Sequence, residues 1–239
     1  MAETYERRRP GYPPELVAWV AEQLGIGPGA TVADVAAGTG KLTRELVRTG
    51  AYVIAVEPLP EMRAQLEAVL PEVEVREGTA EELPLEDHSV EAITVAAAMH
   101  WFDLDRAIDE FLRVLRPDGA VAAIGPGRDL DQPLQQGVQE IIGPYLPDMS
   151  EIGGWRDHVA RNGSFRLSET FEVEYEQLLD AEGLAERIET ISYIARLPDE
   201  ERAAVVARVR ALGEAQRETP FPFRYRAGAT ILRQIPSQY

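Results

Sequence analysis

Short apolar segments alternate with helical ones through the first half of the chain, and this alternation constrains the fold most. Segments 31–36, 52–56, 91–99 and 120–125 are short and apolar, as buried strands are, and 73–77 alternates polar and apolar residues. The clearest helix between them carries one apolar stripe: Leu104, Ala107, Ile108, Phe111, Leu112 and Leu115. The order strand, helix, strand, helix, strand, strand, helix, strand predicts an α/β fold, a parallel sheet with helices on both faces.

The second half of the sequence is less regular. Gly, Pro and scattered aromatic residues mark 127–163 as an insertion, which we expect to shape a substrate pocket. The later pattern predicts a helix at 132–142, a strand at 171–179, helices at 181–195 and 199–217, and a last strand at 223–234. No linker separates the halves, so the sequence predicts one domain over 1–239, with 1–14 as an amino-terminal arm or lid.

Composition narrows the classes of partner. The chain of 239 residues has 41 acidic and 24 basic residues and a net charge of −17, so we expect neither nucleic acid nor anionic membrane surfaces as partners. The absence of Cys excludes disulfides and thiolate chemistry, and Asp129 with Asp131 is too weak a pattern to predict a metal.

The first residues lack the apolar core of a secretion signal, so a cytoplasmic location is expected. The sequence does not fix the oligomeric state, and a homo-oligomer stays open.

A glycine-rich stretch, VADVAAGTGKLT at 32–43, leaves the first strand and enters a helix. A phosphate-binding loop would need Gly, four residues and Gly-Lys-Ser/Thr, and this template fails at Val35 and Leu42. A dinucleotide fingerprint would need a third glycine where Thr43 stands, which weakens that reading without excluding it. The third reading is a nucleoside cofactor bound without phosphates by the same strand-turn-helix geometry.

Several motifs in order resemble one known family. The stretch VADVAAGTG resembles the first motif of class I S-adenosylmethionine-dependent methyltransferases, and Glu57 matches the acid that binds the ribose hydroxyls in that family. The segments EGTAEELPLEDHSVEAITV and FLRVLRPDGAVAAIG resemble the family's following strands and helix. The resemblance covers about residues 5–126. It implies a Rossmann-like seven-stranded, mostly parallel sheet with an antiparallel strand at 223–234, and S-adenosyl-L-methionine as cofactor.

The resemblance also implies a set of site residues. The cofactor-binding positions are Asp34, Ala36, Gly38, Gly40, Glu57, Pro58, Thr79, Ala80, Glu81, Ala98 and Met99. The sequence departs from the family at two of them, because Ala36 replaces the first glycine of the motif and Thr79 replaces an acid. The adenine amino group is then expected at the backbone of Ala80 or at Glu81. The tail, with YIARLPDEERAAVVARVRAL and FPFRYRA, resembles a bacterial small-molecule subgroup related to the trans-aconitate methyltransferase type.

His100 is the candidate catalytic residue. It follows a predicted central strand, and ligands of open α/β sheets bind outside the carboxyl ends of the strands. A methyl acceptor must lose a proton, and imidazole is a suitable base near neutral pH. The alternative is a histidine that packs or contacts the cofactor. Trp101 is a candidate to cover adenine or to form core, and Tyr5, Arg9 and Tyr12 are candidates for a lid over the substrate.

The sequence therefore predicts a methyltransferase that acts on a small molecule by O-, N- or carboxyl methylation. Three alternatives stay open: a methyltransferase for macromolecules, a protein of this fold that binds S-adenosylmethionine without methyl transfer, and a nicotinamide dehydrogenase. Acidity argues against a nucleic-acid substrate, and AMHW stands where amino-group modifiers carry Asn/Asp-Pro-Pro-Tyr. Thr43 argues against the dehydrogenase.

Overall fold

A computed structural model describes residues 11–146 and 149–236, and the side chains of 126, 128 and 149–153 are not described. The strands are β1 Thr31–Val35, β2 Tyr52–Val56, β3 Glu74–Arg76, β4 Val90–Ala96, β5 Leu115–Arg128, β6 Phe165–Leu179 and β7 Phe221–Gln234. The helices are α1 Pro14–Leu24, α2 Lys41–Val47, α3 Pro60–Val69, α4 Leu104–Val114, α5 Pro133–Ile142, α6 Met149–Asn162, α7 Ala181–Glu189, α8 Ser192–Ala195 and α9 Asp199–Glu214. Short 3-10 turns occupy Met99–Trp101 and Gly143–Tyr145. Within these residues, no helix could cross a membrane.

The strands form one sheet in the order β3-β2-β1-β4-β5-β7-β6. The pairs β2–β3, β1–β2, β1–β4 and β4–β5 are parallel, and β7 is antiparallel. This confirms the predicted seven-stranded, mostly parallel sheet with an antiparallel strand near the carboxyl terminus. Strands β2 and β3 extend the sheet on one side of β1, whereas β5, β7 and β6 extend it on the far side of β4. The carboxyl ends of β1 and β4 therefore flank the point where a ligand of such a sheet binds.

Local sequence explains the element boundaries. Helix α1 has Pro14 in its first turn and ends at Gly25, whose φ of 65° is the left-handed conformation that glycine adopts easily. Helix α4 begins after Asp103, whose side chain accepts a hydrogen bond from the backbone N–H of Arg106, as the N-cap position favours. The predicted start of the fifth strand is wrong, because β5 begins at Leu115. The pairing moves from Val90↔Leu115 to Ala92↔Ala120, so the RPDG segment is an irregularity within the strand and not a loop before it.

Other boundaries differ from the predicted ones. Strand β4 ends at Ala96 and not at residue 99, because Ala97 takes a positive φ of 56°. Strand β6 begins at Phe165, six residues before the predicted start at 171. The predicted helix at 181–195 is divided into α7 and α8. Helix α6 was not predicted, because adjacent glycines at 153 and 154 obscure its pattern.

The chain divides into two compact units. The larger unit contains, among the described residues, 11–126, 150–173 and 227–236, and its core gathers apolar side chains of β1, β2, β4, β5 and α4. The smaller unit contains 127–146, 149 and 174–226, and its core gathers apolar side chains of α5, α7, α9 and β7. The glycine-rich stretch 32–43, Glu57 and His100 lie in the larger unit.

Candidate functional site

The glycine-rich loop joins β1 to α2 through three left-handed residues: Ala36 with φ 57°, Gly38 with φ 59° and Gly40 with φ 84°. A Cβ atom at Gly40 would lie 3.0 Å from the Cγ of Leu66, so this glycine lets the loop pack against α3. A Cβ at Gly38 would meet no atom within 4 Å. Gly40 therefore serves packing, whereas Gly38 presents backbone to open space. Ala36 holds a conformation that costs an alanine free energy.

Glu57 joins this loop to the end of β2. Glu57 is only 4% exposed. Oε2 accepts a hydrogen bond of 2.8 Å from the backbone N–H of Gly38, and Oε1 accepts one of 3.0 Å from the N–H of Leu59. The guanidinium of Arg63 donates to the carbonyl oxygens of Glu57 and Pro58 at 2.9 and 2.7 Å. The Glu57 carboxylate is thus held in place by backbone donors, at the carboxyl edge of the sheet.

Asp34 lies in β1, just before the glycine-rich loop. It is buried, and its two carboxylate oxygens accept hydrogen bonds from the hydroxyls of Thr43 in α2, at 2.6 Å, and Thr94 in β4, at 2.8 Å. Burial raises the pKa of Asp34 to about 6, although both hydroxyl bonds lower it. Asp34 therefore connects two strands and the helix that follows the glycine loop. Sequence reasoning missed both partners, although Thr94 is the one polar residue in the apolar run AITVA.

The adenine-side candidates lie after β3. Ala80 is buried in the core of the larger unit, whereas Thr79 and Pro58 are exposed. Glu81 accepts a hydrogen bond of 2.8 Å from the backbone N–H of Asp103, so one carboxylate oxygen already holds the start of α4. A surface cleft runs along this edge and is lined by Pro58, Glu77, Gly78, Thr79, Glu82, Leu83 and Pro84.

The candidates after β4 form the third part of the site. Ala98 and Met99 are buried, and His100 is half-buried beside Trp101, with ring centroids 4.8 Å apart. Burial lowers the pKa of the His100 imidazole, which favours its neutral form. Trp101 is 47% exposed, so it covers the surface here and is not core.

The three histidines of the chain differ in their partners. His88 contacts the carbonyl oxygen of Leu115 at 2.8 Å, and His158 contacts Asp105 at 2.8 Å. Among the described residues, no hydrogen bond occupies the ring nitrogens of His100. His100 is thus the histidine with neither ring nitrogen hydrogen-bonded within the described part of the chain.

The hydrogen-bonding groups of the site fit a nucleoside better than a phosphate. A carboxylate at the loop edge accepts hydrogen bonds from hydroxyl groups and repels phosphate. Each oxygen of Glu57 uses one backbone donor and retains a further acceptor direction. The open face at Gly38 leaves room for a ligand beside this carboxylate. The chemistry therefore fits the ribose of a nucleoside cofactor.

The remaining candidates lie elsewhere. Tyr5 and Arg9 fall outside the described residues, and Tyr12, just before α1, is half-buried. Within the described part of the chain, no group of three or more His, Asp or Glu side chains has the arrangement of a metal site. The site is therefore built from the ends of β1, β2 and β4 and the segment after β3.

Comparisons with known proteins agree with this geometry. The family model described as a methyltransferase domain matches residues 33–123, which include the end of β1, the glycine loop, Glu57 and His100. An uncharacterized methyltransferase of Mycobacterium tuberculosis is 40% identical over 210 residues, which cover 87% of this chain and 82% of that protein.

Solved structures share the fold over nearly the whole chain. A proposed type II methyltransferase from Anaeromyxobacter dehalogenans superposes with a TM-score of 0.66 and 26% identity, covering 94% of this chain and 96% of that one. A SAM-dependent methyltransferase from Aquifex aeolicus gives a TM-score of 0.56 at 18% identity, covering 97% of each chain. The second likeness shows the fold alone.

Proposed function

The chain belongs to the methyltransferase family, and on that premise we propose that it transfers the methyl group of S-adenosyl-L-methionine to a small-molecule acceptor. The proposal rests on the position of the Glu57 carboxylate. Its buried carboxylate is fixed by the N–H groups of Gly38 and Leu59 at the edge of an open glycine loop. A ribose requires an acceptor of this kind, and a phosphate would be repelled by it.

The proposed cofactor positions follow from this anchor. Glu57 accepts hydrogen bonds from the ribose hydroxyls, and the loop from Ala36 to Gly40 borders the amino-acid end of the cofactor. The segment Thr79–Glu81, with Pro58, Ala98 and Met99, borders the adenine. Asp34 positions the loop through Thr43 and does not need to touch the cofactor itself. When bound, S-adenosylmethionine supplies an electrophilic methyl group.

His100 is the proposed general base. It follows β4, at the carboxyl edge of the sheet, where an acceptor would approach. Its lowered pKa keeps the imidazole neutral at physiological pH, so the ring can take the proton that the acceptor loses. The exposed Trp101 offers an apolar surface for the acceptor beside it. Holding the two reactants in line would supply most of the remaining rate enhancement.

Charge and sequence support a small acceptor. The net charge of −17 disfavours a nucleic-acid substrate, and the tail motifs resemble enzymes related to the trans-aconitate methyltransferase type. Within that class, carboxylates, phenols and amines are the acceptors to compare.

The test is methyl transfer from S-adenosylmethionine with a labelled methyl group, screened against carboxylate, phenol and amine acceptors. We expect one acceptor class to yield labelled product in a time-dependent, enzyme-dependent reaction. Tight binding of the cofactor with no transfer to any class would instead favour a protein that binds S-adenosylmethionine without methylating.

A further inference from the structure

Arg187 is a buried cation in the smaller unit. It lies on α7, is only 6% exposed, and has the core residues Leu184 and Ile188 as helix neighbours. A guanidinium stays charged in any protein environment, so burial cannot neutralise it. A charge in such an environment is costly unless an anion or hydrogen-bond acceptors compensate it.

The guanidinium lacks that compensation within the described residues. Its Nε and Nη1 atoms are buried without a hydrogen-bond partner. No ion pair of the described residues includes Arg187. Two acids of the same helix pair with α9 instead, Glu182 with Arg210 at 2.6 Å and Glu189 with Arg202 at 3.4 Å.

An aromatic surface supports the guanidinium. Its Cζ atom lies 5.5 Å from the ring centroid of Tyr225, close enough for a cation–π contact. Tyr225 stacks on Tyr175 with centroids 5.0 Å apart, and its hydroxyl donates to Gln177 Oε1 at 3.2 Å. The ring face stabilises the charge but gives no acceptor in the plane of the N–H groups. An acceptor is still needed at the guanidinium edge.

We propose that Arg187 binds the carboxylate of a small organic anion in the smaller unit. A carboxylate meets a guanidinium through two parallel N–H···O bonds, either Nη2 with Nε or Nη2 with Nη1. Both arrangements use one of the two atoms that now lack a partner. Nη2 is not among the atoms that are buried without a partner. The binding does not require the methyl donor, so it can be tested without any transferase activity.

The probes are benzoate and succinate, compared with benzamide, succinamide, phosphate and sodium chloride at equal ionic strength. Thermal unfolding of the whole protein is measured with each. We expect the carboxylates to raise Tm by about 2–4 °C at roughly five times their Kd, and the amides and chloride to leave it unchanged. No rise with either carboxylate, or a rise with phosphate only, would overturn the proposal.

Variants assign the effect to the side chain. In Arg187→Met the carboxylate-dependent rise should vanish, while Tm without carboxylate should be unchanged or higher, because an uncompensated buried charge is removed. In Arg187→Lys, which keeps the charge but loses the fork, carboxylate affinity should fall at least tenfold. Arg210→Met is the matched control at an exposed ion pair and should keep the full response. An equal response in Arg187→Met, or in Arg187→Lys should the first variant not fold, would contradict the assignment.

Discussion

At Ala36, an alanine occupies a backbone conformation that glycine adopts without strain. Its φ is 57°, and left-handed backbone costs a residue with a Cβ about 1–2 kcal/mol. Glycine also loses more conformational freedom on folding, which offsets part of the gain. We therefore expect Ala36→Gly to stabilise the protein by up to about 1 kcal/mol, measured by denaturant unfolding.

The control for this prediction is Ala33→Gly in β1. Ala33 is fully buried and is not among the residues with positive φ, so glycine there should only destabilise. If Ala36→Gly and Ala33→Gly lower stability equally, the conformation at Ala36 carries no strain.

His100 is the residue whose substitution tests the proposed general base. We expect His100→Gln to leave cofactor affinity nearly intact and to lower turnover by about 10²–10⁴-fold, the usual contribution of a positioned acid–base group. The wild-type rate should rise with pH and reach its plateau through a midpoint below the ordinary imidazole value of 6.5, because burial lowers the pKa and only the neutral ring accepts a proton. Normal turnover in the variant would make His100 a bystander.

At the scale of elements, the two glycines of the β1–α2 turn have separable roles. Gly40→Ala should cost about 1–3 kcal/mol of stability, because a Cβ there combines φ 84° with a 3.0 Å approach to Leu66 on α3. Gly38→Ala also strains the backbone but meets no atom within 4 Å, so its stability loss should be smaller. Its added methyl enters the open face, and cofactor affinity should fall more in Gly38→Ala than in Gly40→Ala. The reverse ranking in calorimetry would place the cofactor elsewhere.

Asp34 links β1, α2 and β4, and it makes their stability depend on pH. Its folded pKa of about 6 exceeds the ordinary value of 3.8, so its favourable contribution is complete below pH 3.8 and is lost as pH rises to about 6. Asp34→Asn keeps hydrogen-bonding groups for Thr43 and Thr94 but does not titrate. Relative to the wild type, the variant should gain about 2 kcal/mol between pH 4 and pH 6. A pH-independent difference would contradict the raised pKa.

Across the whole molecule, the features that the sequence predicts correctly are those determined by residues close together in the chain. The parallel strands and the glycine turn follow from short-range patterns, and the structure confirms them. Glu57 was expected near the loop because the family resemblance matches it to the ribose-binding acid, and the hydrogen bond from the Gly38 N–H agrees with that placement. The roles assigned to these residues remain predictions.

Other features depend on contacts distant in sequence and could not be predicted. Thr94 reaches Asp34 across 60 residues, and only the register of β4 on β1 brings them together. Arg187, in the segment AERIE, has the pattern of a solvated helix charge, yet tertiary packing buries it. The register shift at RPDG arises in the pairing between β4 and β5, which the local turn signal does not predict.

Calorimetric titration of the wild type, Glu57→Ala and Glu61→Ala with S-adenosylmethionine and with NAD tests the proposed cofactor and its ribose-binding residue. We expect S-adenosylmethionine to bind the wild type and NAD not to bind. Glu57→Ala removes the proposed charged acceptor of two ribose hydrogen bonds, each expected to contribute about 1.5–3 kcal/mol, so affinity should fall more than tenfold. Glu61→Ala, at an exposed position of α3, should bind as the wild type does. Binding of NAD but not of S-adenosylmethionine would rule out the proposed cofactor, and unchanged affinity in a folded Glu57→Ala would rule out Glu57 as the ribose-binding residue.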